Sequence, residues 1–148
     1  MGSGLNLELA KAQIEEAKVF LESAKDDFKA ERYARAIFNS QQCVELAMKS
    51  ALTIHGVAFV LEHDVSPYFA SEVITSASNN WVEPLKEVLR ETYWLFEHYT
   101  LTRYPVVRGR RIWRPSKEYR REQAEEAIRS AEKALLVIGK YLKERFGV

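Results

Sequence analysis

The sequence predicts an all-α fold, an up-and-down four-helix bundle with one short extra helix. Three observations predict it. Leu7, Ala10, Ile14, Ala17, Leu21, Ala24 and Phe28 recur at alternating steps of three and four, which is one helical stripe. A second stretch carries two such stripes side by side. No stretch shows a convincing strand alternation, and the apolar run Val57 to Leu61 is too short to count as one. The 148 residues suit one domain with a substantial core, expected over residues 6–146.

The first helix is predicted over residues 6–29, with Glu8, Lys11, Glu15, Lys18, Glu22 and Lys25 on its other sides. Its alanines let a neighbouring helix approach closely. Residues 1–5 are expected to be a disordered or appended leader, since Met-Gly-Ser-Gly lacks the basic and apolar parts of a signal peptide. The second helix is predicted over residues 32–55. One face carries Tyr33, Ile37, Val44, Met48 and Leu52, and a neighbouring face carries Ala36, Cys43, Ala47, Ala51 and Ile54. Two apolar faces predict a central helix touched from both sides. Gly56 follows as a left-handed cap.

Ser66-Pro67 predicts a cap and a first-turn proline for a short third helix reaching about Ala77. The fourth long helix is predicted from Trp81 to about Thr102, with Pro84 near its first turn and Leu85, Val88, Leu89, Thr92, Leu95, Phe96 and Tyr99 facing inward. Tyr93, Trp94, Phe96 and Tyr99 cannot all face one core, so a homodimer is expected. Ser116 is the predicted cap of the last helix, about residues 117–145, which packs through Ala124, Ile128, Ala131, Leu135, Ile138 and Leu142.

Charge is placed unevenly. Residues 103–121 hold eight Lys/Arg and one acid, a net of +7, so with a total of +1 the rest of the chain carries −6. A basic segment on an acidic body points to a local anion site, not to a surface coated for bulk DNA binding. Cys43 is the single cysteine, which excludes an intrachain disulfide and fits a reducing, cytoplasmic setting. No apolar run approaches the roughly 18 residues of a membrane span, so no membrane partner is expected. Phosphate-binding glycine loops, Gly-x-Ser-x-Gly and metal-spaced Cys/His clusters are missing from the sequence, and neither a metal nor a cofactor is expected.

The basic segment is sharpest between Arg103 and Arg114, where five arginines occur with no acid. Each is a planar, permanently charged fork suited to phosphate or carboxylate. Arg108, Arg110, Arg111 and Arg114 weigh more as a set than singly. Gly109 lets their backbone turn sharply and Trp113 offers a stacking surface, a combination suited to a nucleotide or single-stranded RNA. The competing reading is a solvated loop or a contact with acidic helices of a second copy.

Three pieces of the chain resemble the HEPN family. They are Ala24-Lys-Asp-Asp-Phe28 leading into Arg32-Tyr33-Ala34-Arg35-Ala36-Ile37-Phe38; Gln41-Gln42-Cys43-Val44-Glu45-Leu46-Ala47-Met48-Lys49 followed by Gly56 and His63; and Tyr99-Thr-Leu-Thr-Arg103-Tyr104-Pro105. The resemblance implies a helical bundle that usually dimerises and often pairs with a separate minimal nucleotidyltransferase. It also implies that many relatives are RNases of toxin–antitoxin systems using Arg-x(4–6)-His across a dimer, whereas others bind nucleotides without cleaving RNA. Here Arg90 and His98 are separated by seven residues, about 800° of helix and so about 80° off a common face. His98 and Arg103 have four residues between them but in the reverse order.

His98 and Arg103 are therefore the catalytic candidates only if the protein is an RNase. His98 titrates near neutrality and could serve as acid or base; otherwise it is a helix-end histidine. Arg103 binds phosphate, or else caps its helix or pairs with Glu97. Tyr104 stacks on a base or on the bundle. Gln41, Gln42, Glu45 and Lys49 are expected to network between helices. His63 is expected to bond the adjacent loop, His55 to close a helix, and Cys43, Trp81 and Trp94 to be core or interface residues. The binding set is thus Arg103, Tyr104, Arg108, Arg110, Arg111 and Arg114. The expected function is nucleotide or RNA binding beside a nucleotidyltransferase, in a toxin–antitoxin setting. A metal-independent RNase toxin and a structural interaction subunit are the alternatives.

Overall fold

The computed structural model describes residues 4–57 and 60–148. Four long helices dominate: α1 (Gly4–Lys29), α2 (Tyr33–Ile54), α4 (Asn79–Phe96) and α6 (Arg121–Phe146). Between α2 and α4 lies the short α3 (Ser66–Tyr68), which continues as a π turn (Phe69–Val73) and a 3-10 turn (Ile74–Ser76). Between α4 and α6 lie β1 (Val106–Arg108), β2 (Arg111–Trp113) and α5 (Pro115–Glu118). The bundle is all-α as predicted, with this one small addition.

α2 and α6 form the central pair. α1 packs against both on one flank and α4 against both on the other. Fifteen of the 22 residues of α2 are buried, as its two apolar faces require. Hydrogen bonds fix the directions. Ser50 Oγ donates to the Ala10 carbonyl and Thr53 Oγ1 to Gln13 Oε1, so the end of α2 lies beside the start of α1. Trp81 Nε1 donates to Glu144 at 2.6 Å, and Ser130 Oγ donates to the Glu91 carbonyl, so α4 and α6 are antiparallel. Small residues line the close contacts: Ala10, Ala17, Ala24, Ala47, Ala51, Ala124, Ala127, Ala131 and Ala134 are fully buried. Cys43 is buried among them, and burial pushes its thiol up to about 12, leaving it inert.

Several boundaries differ from expectation for physical reasons. α1 begins at Gly4, so Gly4 and Leu5 are helical; residues 1–3 lie outside the described residues. α4 begins at Asn79, which puts Pro84 in the second turn. It ends at Phe96, six residues early, where the backbone bonds tighten to i→i−3: His98 N–H reaches the Leu95 carbonyl and Tyr99 N–H that of Phe96, and the chain coils into turns. Ser116 sits inside α5 and does not cap the last helix. α6 starts after Arg120, whose backbone N–H donates to Gln123 Oε1 at 2.8 Å. Gly56 adopts the predicted left-handed cap at φ +87°, with Val57 N–H reaching the Leu52 carbonyl. Ala58 and Phe59, within the apolar run at Val57 to Leu61, lie outside the described residues.

Candidate nucleic-acid interface

The alternating helix directions bring one end of α1, α2, α4 and α6 together. The chain turns from α1 to α2 in three residues. Arg32 N–H reaches the Asp27 carbonyl and Glu31 N–H reaches that of Phe28, with Glu31 in the left-handed region at φ +62°. This turn places Arg32 and Arg35 at that end of the bundle. Arg121, at the start of α6, lies 4.7 Å from the Phe28 ring centroid, so α6 begins beside the same corner. The turns after α4 deliver Tyr99, Arg103 and Tyr104 there as well.

The arginine loop is a β-hairpin, an element with no counterpart in the predicted fold. Val106 pairs with Trp113, Val107 with Ile112 and Arg108 with Arg111 in an antiparallel register. Gly109 and Arg110 form the two-residue turn. Only Gly109 has positive φ (+62°), which matches a type II′ turn. Trp113 pins the hairpin to the bundle: its Nε1 donates to the Leu101 carbonyl at 2.7 Å and its ring meets Tyr119 edge-on.

The four hairpin arginines have different fates. Arg111 is clamped by Glu118, at 2.8 and 3.0 Å to its two oxygens. That hydrogen bonding holds the Glu118 carboxyl below its usual range and raises the Arg111 guanidinium. Arg108 lies 5.1 Å from the Trp113 centroid. Arg108, Arg110 and Arg114 are exposed, and their side chains meet no carboxylate among the described residues.

His98 and Arg103 have separate surroundings. His98 Nδ1 is 2.7 Å from the Tyr119 hydroxyl, and its ring meets Trp94 and Tyr119 edge-on. Burial lowers the pKa of His98, Arg108 acting the same way against Glu97. Burial also raises that of the Tyr119 phenol. The lowered value favours the neutral ring, and which of Nδ1 and the phenol donates depends on the tautomer. Arg103 rests instead on aromatic rings, 4.7 Å from the Tyr99 centroid, 5.1 Å from Tyr104 and 5.2 Å from Phe38. It forms no ion pair with Glu97 among the described residues.

The histidine that shares a surface with Arg103 is His63. Its ring stacks on Tyr99 at 3.9 Å and 16°, and its Nδ1 is 3.4 Å from Glu45 Oε2. Glu45, only 5% exposed, also accepts from Gln41 Nε2 at 3.0 Å and Lys49 Nζ at 2.8 Å. Gln42 donates to Gln41 at 2.7 Å. Gln41, Gln42, Glu45 and Lys49, expected to network between helices, bond instead along α2 itself. His63, expected to bond the adjacent loop, reaches instead to Glu45 of α2 and to Tyr99 from the irregular segment before α3. No group of three or more His, Cys, Asp or Glu among the described residues could hold a metal, and no described helix is long and apolar enough to cross a membrane.

Comparison with known proteins places this architecture. A family model described as the HEPN domain matches residues 10–141. A Methanocaldococcus jannaschii protein named "Putative toxin MJ1304" is 37% identical over 147 residues, covering 99% of this chain and 96% of that protein. Two crystal structures are similar, each at 28% identity. They are TT1696 from Thermus thermophilus (TM-score 0.66, covering 88% of this chain and 96% of that one) and ST0689, described as an archaeal HEPN homologue (TM-score 0.67, covering 90% and 98%). With the family model matched across nearly the whole bundle and a relative aligned over almost its full length, this chain belongs to the HEPN family.

Proposed function

We propose that this HEPN chain binds a nucleotide or single-stranded RNA at its arginine hairpin, as a homodimer working beside a separate nucleotidyltransferase in a toxin–antitoxin pair. One observation carries the binding reading. Arg108, Arg110 and Arg114 stand exposed without carboxylate partners, on a hairpin whose Trp113 fixes their position. Unpaired guanidiniums held close together repel one another, and a polyanion relieves that repulsion while releasing counterions. Tyr104, 50% exposed beside Arg103, adds a ring for a base. The toxin name of the Methanocaldococcus relative supports the toxin–antitoxin setting. Tyr93 of α4, 55% exposed, supports a second copy on that flank. Phe96 is buried and Trp94 and Tyr99 are half-buried, so the outward aromatic surface there is smaller than the sequence suggests.

The test is titration of labelled single-stranded RNA, ATP and GTP at several salt concentrations. Affinity falls as salt rises. Arg108→Ala, Arg110→Ala and Arg114→Ala together weaken binding about a hundredfold, at ~1 kcal/mol for each exposed contact, and leave the helical circular dichroism intact. Equal binding by the triple variant would remove the hairpin from the site.

Metal-independent RNA cleavage is the second reading, favoured by the same relative's name. It needs a histidine and an arginine around one phosphate. Within one chain His98 is bonded to Tyr119, and His63, which shares Tyr99 with Arg103, has its Nδ1 turned to Glu45, so the geometry favours binding over cleavage.

A further inference from the structure

A groove of about 380 Å³ opens where the start of α2 meets the two legs of the hairpin. Tyr33 and Arg35 line it on the α2 side, with Thr102, Arg103, Pro105 and Pro115 opposite. Its walls are continuous with the arginine hairpin. Pro105 immediately precedes β1, and Pro115 immediately follows Arg114. A strand that leaves the hairpin between its legs enters this groove.

The charges along the groove are not equivalent. Arg32 is neutralised by Asp27, whose Oδ1 lies 2.7 Å from its Nε and whose Oδ2 accepts from Asn39. Arg35 is exposed and meets no carboxylate among the described residues. Arg103 is stacked on rings, which leaves the edge of its guanidinium fork for an acceptor. Two guanidiniums without acid partners among the described residues therefore line one groove, with Tyr33 in its wall and the Tyr104 ring 5.1 Å from Arg103 beside it. The two prolines contribute fixed φ angles and no backbone N–H, so side chains decide what binds. Cations alternating with aromatic rings suit the phosphates and bases of a single strand. Glu31, at the rim, opposes an anion.

We infer that this groove at the α1–α2 corner is a second phosphate subsite, so that one RNA strand runs from the hairpin past Arg103 to Arg35. The inference rests on the RNA-binding reading of the hairpin and extends it to a residue outside the basic segment.

The experiment measures fluorescence anisotropy of a labelled dinucleotide and a labelled decanucleotide RNA against the full chain. The decanucleotide should bind more tightly than the dinucleotide. Arg35→Ala should weaken the decanucleotide on the order of fivefold and lower its log–log salt slope by about 0.7, the value for one lost contact to a single-strand phosphate. It should leave the dinucleotide unchanged. Arg35→Lys, which keeps the charge, should recover most of the loss, and Glu31→Gln should tighten the decanucleotide. Because Arg35 is exposed, thermal melts should coincide. Unchanged decanucleotide affinity and slope in Arg35→Ala would overturn the inference and leave the hairpin reading standing. Equal weakening of both oligonucleotides, or no advantage of the longer one in the wild type, would overturn it as well. Failure of the wild type to bind either oligonucleotide would overturn both.

Discussion

The Glu45 face of α2 and the hairpin on Trp113 both gather charge, and they dispose of it in opposite ways. Around Glu45 every charge is answered within the chain. The carboxylate takes Gln41, Lys49 and His63, and Gln42 closes the row. On the hairpin only Arg111 is answered, by Glu118; Arg108, Arg110 and Arg114 are not. A buried carboxylate has to be paired at home, since leaving it unpaired costs several kcal/mol. Exposed guanidiniums need no internal partner, because water solvates them. The closed network holds α2 to the segment before α3, whereas the exposed arginines are satisfied by solvent. Tyr99 links the two, with His63 stacked on it from the closed side and Arg103 from the open side.

Three variants and a pH titration would break or sharpen this contrast. The largest effect is expected from the hairpin triple variant, with RNA affinity falling about a hundredfold, at ~1 kcal/mol for each exposed charge-assisted contact. Chemical denaturation should show unchanged stability. Glu45→Ala should do the reverse. It strands Lys49 and Gln41 and should lower the unfolding free energy by about 3 kcal/mol, while RNA affinity per folded molecule stays constant. A Glu45→Ala protein of wild-type stability would mean that the network is not structural.

Acidification probes the closed regions in another way. Burial lowers the pKa values of both His98 and His55 in the folded state. The unfolded chain then binds more protons than the folded one below the ordinary histidine value. Stability contributed by the neutral rings is present above pH 6.5 and lost as pH falls through the window down to the lowered values. Each histidine adds well below the ~1.4 kcal/mol per pH unit of a fully buried ring, because water screens a half-exposed one. Carboxylates such as Glu118, whose folded pKa is also lowered, act in a separate window below 4.5. Denaturation midpoints that stay flat between pH 7 and 5 would contradict the burial of these rings. The smallest effect is expected at Glu31, which holds φ +62° without being glycine. Glu31→Gly should stabilise the fold by roughly 0.5–1 kcal/mol in a denaturant titration.

The long helices were legible because their apolar residues repeat with the helix period, and α2 declared itself central through two faces. The hairpin was not, because Val-Val-Arg and Arg-Ile-Trp are three residues each, too short for alternation to register. The early end of α4 was hidden as well. Residues 97–102 read as helix, and only the i→i−3 backbone bonds from His98 to Leu95 and from Tyr99 to Phe96 show the helix giving way to turns. The start of α6 was misplaced because arginine is not a residue one expects before a helix, yet Arg120 N–H finds Gln123. At the site, composition sufficed to find the arginines. It could not show that Arg111 is already committed to Glu118, that His63 joins Tyr99, or that Arg35 lines the same groove as Arg103. Those facts depend on helices distant in sequence meeting at one end of the bundle.

On the proposed function the protein holds RNA at the open arginine hairpin without cutting it. The direct measurement is a gel of labelled single-stranded RNA incubated with wild-type and His98→Ala protein in the presence of a metal chelator. The account predicts a retarded complex for both proteins and intact RNA once the protein is removed. Chelator-resistant cleavage by the wild type that disappears in His98→Ala would contradict it.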